Sequence, residues 1–395
     1  MKYQKLYAGI AALIMTIGVN QAFVANGFHS FSIFGYPTTE TSELEVPPKN
    51  NNSIKVALLL DTSGSMNGLI EQAKSQLWQI LNQLAITEKE GEEETDLEIA
   101  LYEYGNPTRA RRGKQIRKLS GFTTDMDLIS EKLFALTTGG GKEYCGEIIW
   151  TSLDELEWGQ NDNDLKMIYI AGNEPFTQGP VNYAEACQRA KQEGVVVNTI
   201  FCGDWNGGVQ TLWKQGADLA DGEYMNIDHN KATAYIETPY DDEINELNTR
   251  LNKTYIPYGK KGKQKLENQS TQDFNAGKYS KANSADRALF KSSKKYKADD
   301  WDLVDAYKKD KNVLKKAEVM ADTLQNISAE ELEAKIQAIT AEREHIQQDI
   351  RETNKKRQDF IKEKSQSSTD DKNLKNSIQK SIEKQAKKKG YKIKN

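Results

Sequence analysis

Residues 56–60 read Val-Ala-Leu-Leu-Leu, an unbroken aliphatic run that ends at Asp61. A run with no polar alternation suits a strand covered on both faces, as at the centre of a parallel sheet. Helical spacing follows at Leu69, Ile70, Ala73, Leu77, Ile80, Leu81 and Leu84. The same reading predicts strands near 97–104, 115–119, 165–171, 195–201 and 223–227. Between and after them it predicts helices at 125–136, 147–156, 181–193, 208–220 and 241–253. This alternation implies an α/β fold with a doubly wound, mostly parallel sheet over residues 54–258.

The pattern changes on either side of that unit. Lys2 and Lys5 precede an apolar stretch at 6–19, so residues 1–25 read as a signal peptide or an N-terminal anchor. That implies an exported protein, periplasmic or at the cell surface. Residues 26–53 are polar and Pro-bearing towards their end and read as a linker. Beyond 258 the chain is rich in Lys, Asn, Gln and Ser, and 259–328 is expected to be irregular with short helices folded back on the domain. Trp301, Leu303 and Val304 there need cover. From 329 to 364, Leu332, Ile336, Ile339, Ile346, Ile350 and Phe360 approximate a helical stripe among charges, as in a long charged helix or a short coiled coil. Residues 365–395 read as a basic mobile tail.

Composition supports this division. Only 37% of the 395 residues are hydrophobic and the mean hydropathy is −0.74, so part of the chain must be solvated helix. The formal charge is −4, yet residues 354–395 carry fourteen Lys/Arg against five Asp/Glu. An acidic body with a basic end is expected to touch an anionic membrane surface or to end in a solvated tail, and gives no sign of nucleic-acid binding. Cys145, Cys187 and Cys202 are expected at one rim of the sheet. One disulfide among them is compatible with export, and the sequence does not choose the pair.

The chemistry concentrates after the first strand. Asp61-Thr62-Ser63-Gly64-Ser65 sets one carboxylate and two hydroxyls on alternate positions of a turn. Open α/β sheets bind ligands at the carboxyl ends of their strands. Three oxygen donors there suit a hard divalent cation: Mg²⁺, Mn²⁺ or Ca²⁺. The glycines at 139–141 and Lys142 lack the spacing of a phosphate loop. His29, His229 and His345 are far apart in sequence, and the chain has no Gly-x-Ser-x-Gly elbow.

With this order of elements, residues 54–258 resemble a von Willebrand factor type A domain, and Asp61, Ser63 and Ser65 match that family's metal-ion-dependent adhesion site. The resemblance covers about half the chain and implies a second loop bearing a Thr after paired glycines. This chain has Gly139-Gly140-Gly141-Lys142-Glu143-Tyr144-Cys145-Gly146-Glu147, so Glu143 and Glu147 are the candidates to replace that hydroxyl. The family also places an Asp after its fourth core strand. Here Asn173, or Glu174 beside it, stands in that place.

The resemblance implies a non-enzymatic module that binds a protein partner, through an acidic group of that partner, at the cation. The alternative is a scaffold with a vestigial metal site that binds through its C-terminal helices. An enzyme is disfavoured because nothing pairs Ser63 or Ser65 with a base. Oligomeric state is not encoded in any pattern found.

Overall fold

The computed structural model describes residues 52–91, 94–107, 115–228, 237–315, 328–366 and 374–393. The expected signal segment and linker up to residue 51 lie outside them. The central strand is β1 (Ser53–Asp61), followed by α1 (Ile70–Ala85), β2 (Thr87–Lys89), β3 (Asp96–Tyr104) and β4 (Ile116–Thr123). Next come α2 (Met126–Phe134), α3 (Cys145–Glu155), β5 (Leu165–Gly172), α4 (Tyr183–Gln192) and β6 (Val195–Cys202). Two short helices, α5 (Trp205–Gln210) and α6 (Trp213–Leu219), precede β7 (Tyr224–Ile227) and α7 (Asp241–Asn252). The single helix expected at 208–220 is thus broken, at Leu212, whose φ of 70° lies in the left-handed region.

The six strands run in the order β4-β3-β1-β5-β6-β7, parallel except for β4, which pairs antiparallel with β3 at the edge. β1 is flanked by β3 and β5 in register from its first residues, so both its edges are paired, and helices cover its aliphatic side chains on both faces. Ile54, Val56, Leu58 and Leu60 pack on one face with Leu77, Ile80 and Leu81 of α1. Ala57 and Leu59 pack on the other with Ile148 and Ile149 of α3. The fold is a doubly wound α/β sheet with a helical extension.

That extension is more ordered than its composition suggests. It comprises α8 (Gly262–Tyr279), α9 (Lys281–Lys291), α10 (Leu303–Lys309), α11 (Ala329–Gln366) and α12 (Leu374–Lys388), then β8 (Tyr391–Ile393). The 18-residue α8 falls where an irregular segment was expected. Its buried positions include Gln269 and Gln272, which a hydropathy pattern reads as surface. Gln272 accepts from Ser130 of α2 (3.0 Å), and Gln269 donates to Asn252 of α7 (2.9 Å). Trp301, Leu303 and Val304 are buried as expected.

The expected mobile tail is corrected. α12 buries Ile378, Ile382 and Ala386 in the same core as α1, and β8 pairs antiparallel with β2. Gln385 of α12 and Asn198 of β6 exchange buried amide hydrogen bonds, which fixes the helix on the sheet. The amphipathic spacing of Ile378, Ile382 and Ala386 outweighs the surrounding lysines, whose charges stay on the outer side.

The N-terminal anchor expected with the exported placement is also corrected, since it finds no support in the described residues. No helix among the described residues is long and apolar enough to cross a membrane. The three cysteines are free and buried, which corrects the expected disulfide. Cys202 belongs to the core under one face of the sheet, and Cys145 and Cys187 belong to the other.

Candidate functional site

The carboxyl end of β1 turns sharply through a 3-10 turn at Gly64–Met66. Two backbone bonds pin this turn to its neighbours. Thr62 N–H donates to the Tyr104 carbonyl at the end of β3 (2.9 Å), and Gly139 N–H donates to the Thr62 carbonyl (2.9 Å). Three loops, after β1, after β3 and before α3, are thereby drawn to one point at the rim.

Asp61 is fully buried there. Its Oδ1 accepts from Ser63 N–H (2.7 Å), while its Oδ2 is buried without a hydrogen-bond partner. Burial pushes this carboxyl from 3.8 up to about 7; the bonds from Ser63 pull against the shift, and the nearby Glu143 and Glu174 carboxylates add to it. Ser63 Oγ and Ser65 Oγ lie 2.9 Å apart. Ser65 Oγ donates to Asn173 Oδ1 (2.9 Å), and Asn173 Nδ2 donates back to the Ser65 carbonyl (3.0 Å). Asn173 follows β5, so two adjacent strand ends are joined across the notch.

Glu143 comes from the Gly-rich loop. It is 6% exposed, and burial raises its pKa; the Ser63 side chain pulls against the rise and Glu174 adds to it. Gly105 shows how tightly these groups converge. It has a φ of 77°, and a Cβ built on it would lie 2.6 Å from Asp61 Oδ1, 3.1 Å from Ser63 Cβ and 3.3 Å from Glu143 Cγ. Only glycine fits such an approach. Gly141 is similar, since its Cβ would fall 2.0 Å from the Gly105 carbonyl oxygen.

An open cavity of about 910 Å³ lies over the notch, lined by Ser65, Lys142, Glu143, Glu174 and Gln178 among others. Glu174 is held from two sides. Gln178 Nε2 donates to its carboxylate (3.1 Å), and Trp213 Nε1 donates to its carbonyl (2.8 Å).

Of the residues singled out by sequence, Asp61, Ser63, Ser65, Glu143 and Asn173 are brought together. Glu147 is not: it lies in the first turn of α3, half-buried, and does not line the cavity. Sequence reasoning missed Gly105 and the supporting Tyr104. Gly105 follows a strand directly and precedes Asn106-Pro107, which is a turn signal but not a binding motif.

Among the described residues, no group of three or more His, Cys, Asp or Glu is arranged to hold a metal ion by itself. A cation here would need the serine hydroxyls as well. The donors are all oxygen, with one buried carboxylate oxygen lacking a partner, and such a set fits a hard divalent ion.

No protein-family model matches the chain, and no curated protein does. Solved structures that it resembles include the SpRpn10 VWA domain (17% identity, TM-score 0.33), over 44% of this chain and 88% of that one. The conserved hypothetical protein BatB from Bacteroides thetaiotaomicron aligns over 44% of this chain and 90% of its own (15% identity, TM-score 0.32). Proximal thread matrix protein 1 from the mussel byssus, with a zinc-occupied MIDAS motif, aligns over 46% of this chain and 43% of its own (14% identity, TM-score 0.34). These are likenesses of fold, and no ligand or activity is carried over from them. With its central strand ending in Asp61-x-Ser63-x-Ser65 and one antiparallel strand at the edge of an otherwise parallel sheet, the chain resembles a von Willebrand factor type A domain in its fold.

Proposed function

We propose that this chain is a non-enzymatic interaction protein whose Asp61 notch holds a divalent cation and engages a partner protein there. The observation that carries this reading is the Asp61 carboxylate, fully buried with one oxygen unpartnered, beside two serine hydroxyls. An unpaired buried carboxylate is costly unless a counter-charge reaches it. Asp61, Ser63, Ser65 and Glu143 would hold the ion, with Asn173 orienting Ser65. A bound cation supplies positive charge and an exchangeable coordination position, and Mg²⁺ usually keeps several waters. Glu174 and Gln178 shape the mouth that a partner enters.

The scaffold alternative has less to work with. The apolar positions Leu332, Ile336, Ile346 and Ile350 of α11 are already buried within the chain's own cores. Titration calorimetry of the full chain with Mg²⁺, Mn²⁺ and Ca²⁺ tests the proposal. Heat of binding is expected for the wild type and not for Asp61→Ala. Equal heats for both, or none for either, would overturn it.

A further inference from the structure

A second cavity, of about 880 Å³, lies at the end of α1 remote from the notch. α1 has 16 residues, so about 24 Å of helix separates the two hollows. Ala85 and Ile86 at the end of α1 and Leu289 of α9 give it apolar wall, and α11 gives it Arg351 and Lys355. The volume is that of a small-molecule site. Arg351 and Lys355 stand one helical turn apart, a spacing at which like charges repel.

Arg351 is the exception among the arginines packed into the helical extension. Arg287, Arg343 and Arg357 each hold two carboxylates. Arg351 holds none. Its Nη1 donates to the Ser292 carbonyl (2.8 Å) and its Nη2 to Gln348 Oε1 (2.8 Å), both neutral acceptors. These bonds fix the guanidinium and leave three of its five N–H groups free. Burial pulls down the pKa of Arg343, Arg351 and Arg357 alike. Paired carboxylates carry the first and last above the ordinary value, while Arg351 stays below it, opposed by Glu352 alone.

The acids on the lining are engaged elsewhere. Glu344 pairs with Lys308 (2.9 Å), Asp305 with Arg343 (2.8 Å) and Asp299 with Lys309. Glu352 accepts from Gln348 (2.6 Å). Glu88 and Glu94 also border a small neighbouring hollow with Lys294, Lys295 and Lys297. A partly desolvated guanidinium without a counter-charge favours an oxyanion, which its planar fork can take bidentately.

We propose that this cavity binds a small amphipathic organic anion, its oxyanion head held by Arg351 and Lys355 and its apolar body laid against Ile86 and Leu289.

Titration calorimetry of the full chain tests this with octanoate, octyl phosphate, inorganic phosphate and octylammonium, each below its micelle concentration. The better of the two octyl anions is expected to bind about tenfold or more tightly than octylammonium, and which one it is names the head group. Inorganic phosphate, lacking the body, should bind about tenfold or more weakly than that anion. Arg351→Gln keeps an N–H for the Ser292 carbonyl and should weaken the anion about tenfold. Lys355→Gln, at an exposed position, should weaken it about threefold and leave the melting temperature unchanged.

No heat from either octyl anion overturns the inference, as does octylammonium binding equally well. Inorganic phosphate binding as tightly as the octyl anion overturns the amphipathic class. Affinity unchanged in Arg351→Gln overturns the head site; if that variant does not fold, unchanged affinity in Lys355→Gln does so.

Discussion

Asp61 is under strain of an electrostatic kind, and that strain has a sign. Its raised pKa means that the ion-free fold keeps the full contribution of this group below the ordinary Asp range near pH 4. The contribution falls as pH rises to about 7 and is level beyond it. The shift corresponds to about 4 kcal/mol at most. Asp61→Asn retains an acceptor for Ser63 N–H and removes the charge. In chelator at pH 8 this variant is expected to resist urea better than the wild type by about 2 kcal/mol, with the gap closing towards pH 4. Added Mg²⁺ should reverse the order, because only the wild type gains from it. The glycines offer a second residue-level test. Gly141→Ala drives a Cβ into the Gly105 carbonyl, whereas nothing lies within 4 Å of a Cβ at Gly140. Gly141→Ala should cost about 2 kcal/mol or more and weaken cation binding, and Gly140→Ala should change both little, as measured by thermal melts and calorimetry. The sequence displayed the Asp61 turn openly because its donors are adjacent in the chain. Gly105 and Tyr104 lie some forty positions away, and only the β1–β3 register brings them to the turn.

Among the elements, strands and helices of the sheet unit were legible because their hydrophobic periods differ. α11 was legible only in part. Its apolar stripe was read at Ile336 and Ile350, yet Arg343 and Arg357, at the same seven-residue interval, are 1% exposed and continue it. A charge in that register reads as solvent-facing until its partners are known. Arg343 pairs with Asp302 (2.6 Å) and Asp305 (2.8 Å), donates to Thr254 Oγ1 (2.9 Å), and lies 4.5 Å over the Tyr255 ring. Arg357 pairs with Asp241 and Asp286, and Arg287 with Asp127 and Asp273. Each arginine joins segments distant in sequence. Removing one partner of such a pair leaves a buried charge and costs about 3–5 kcal/mol. Arg343→Leu is therefore expected to lower stability by that amount in denaturant titrations. Adding Asp302→Asn should recover part of the loss, since the orphaned carboxylate is gone. If Arg343→Leu is neutral, α11 is not held by this cluster.

For the molecule as a whole, the basic end of the chain misled because net charge says nothing about a buried minority. Three apolar side chains of α12 and Tyr391 enter the main core, and the lysines around them hid that from a compositional reading. A chain truncated after residue 366 should lose cooperativity on melting and bind a hydrophobic dye, with the sheet face near Tyr169 and Asn198 uncovered. A wild-type melting profile for the truncated chain would show α12 and β8 to be dispensable. The return of β8 has one more consequence. Tyr391 Oη donates to the carbonyl of Ser53, the first residue of β1 (3.2 Å). The two ends of the folded body thus share one corner, while Asp61 closes the opposite end of a nine-residue strand, about 27 Å away. A tension applied through those two ends would load the β8 corner alone, and the rim that carries Asp61 would feel almost none of it.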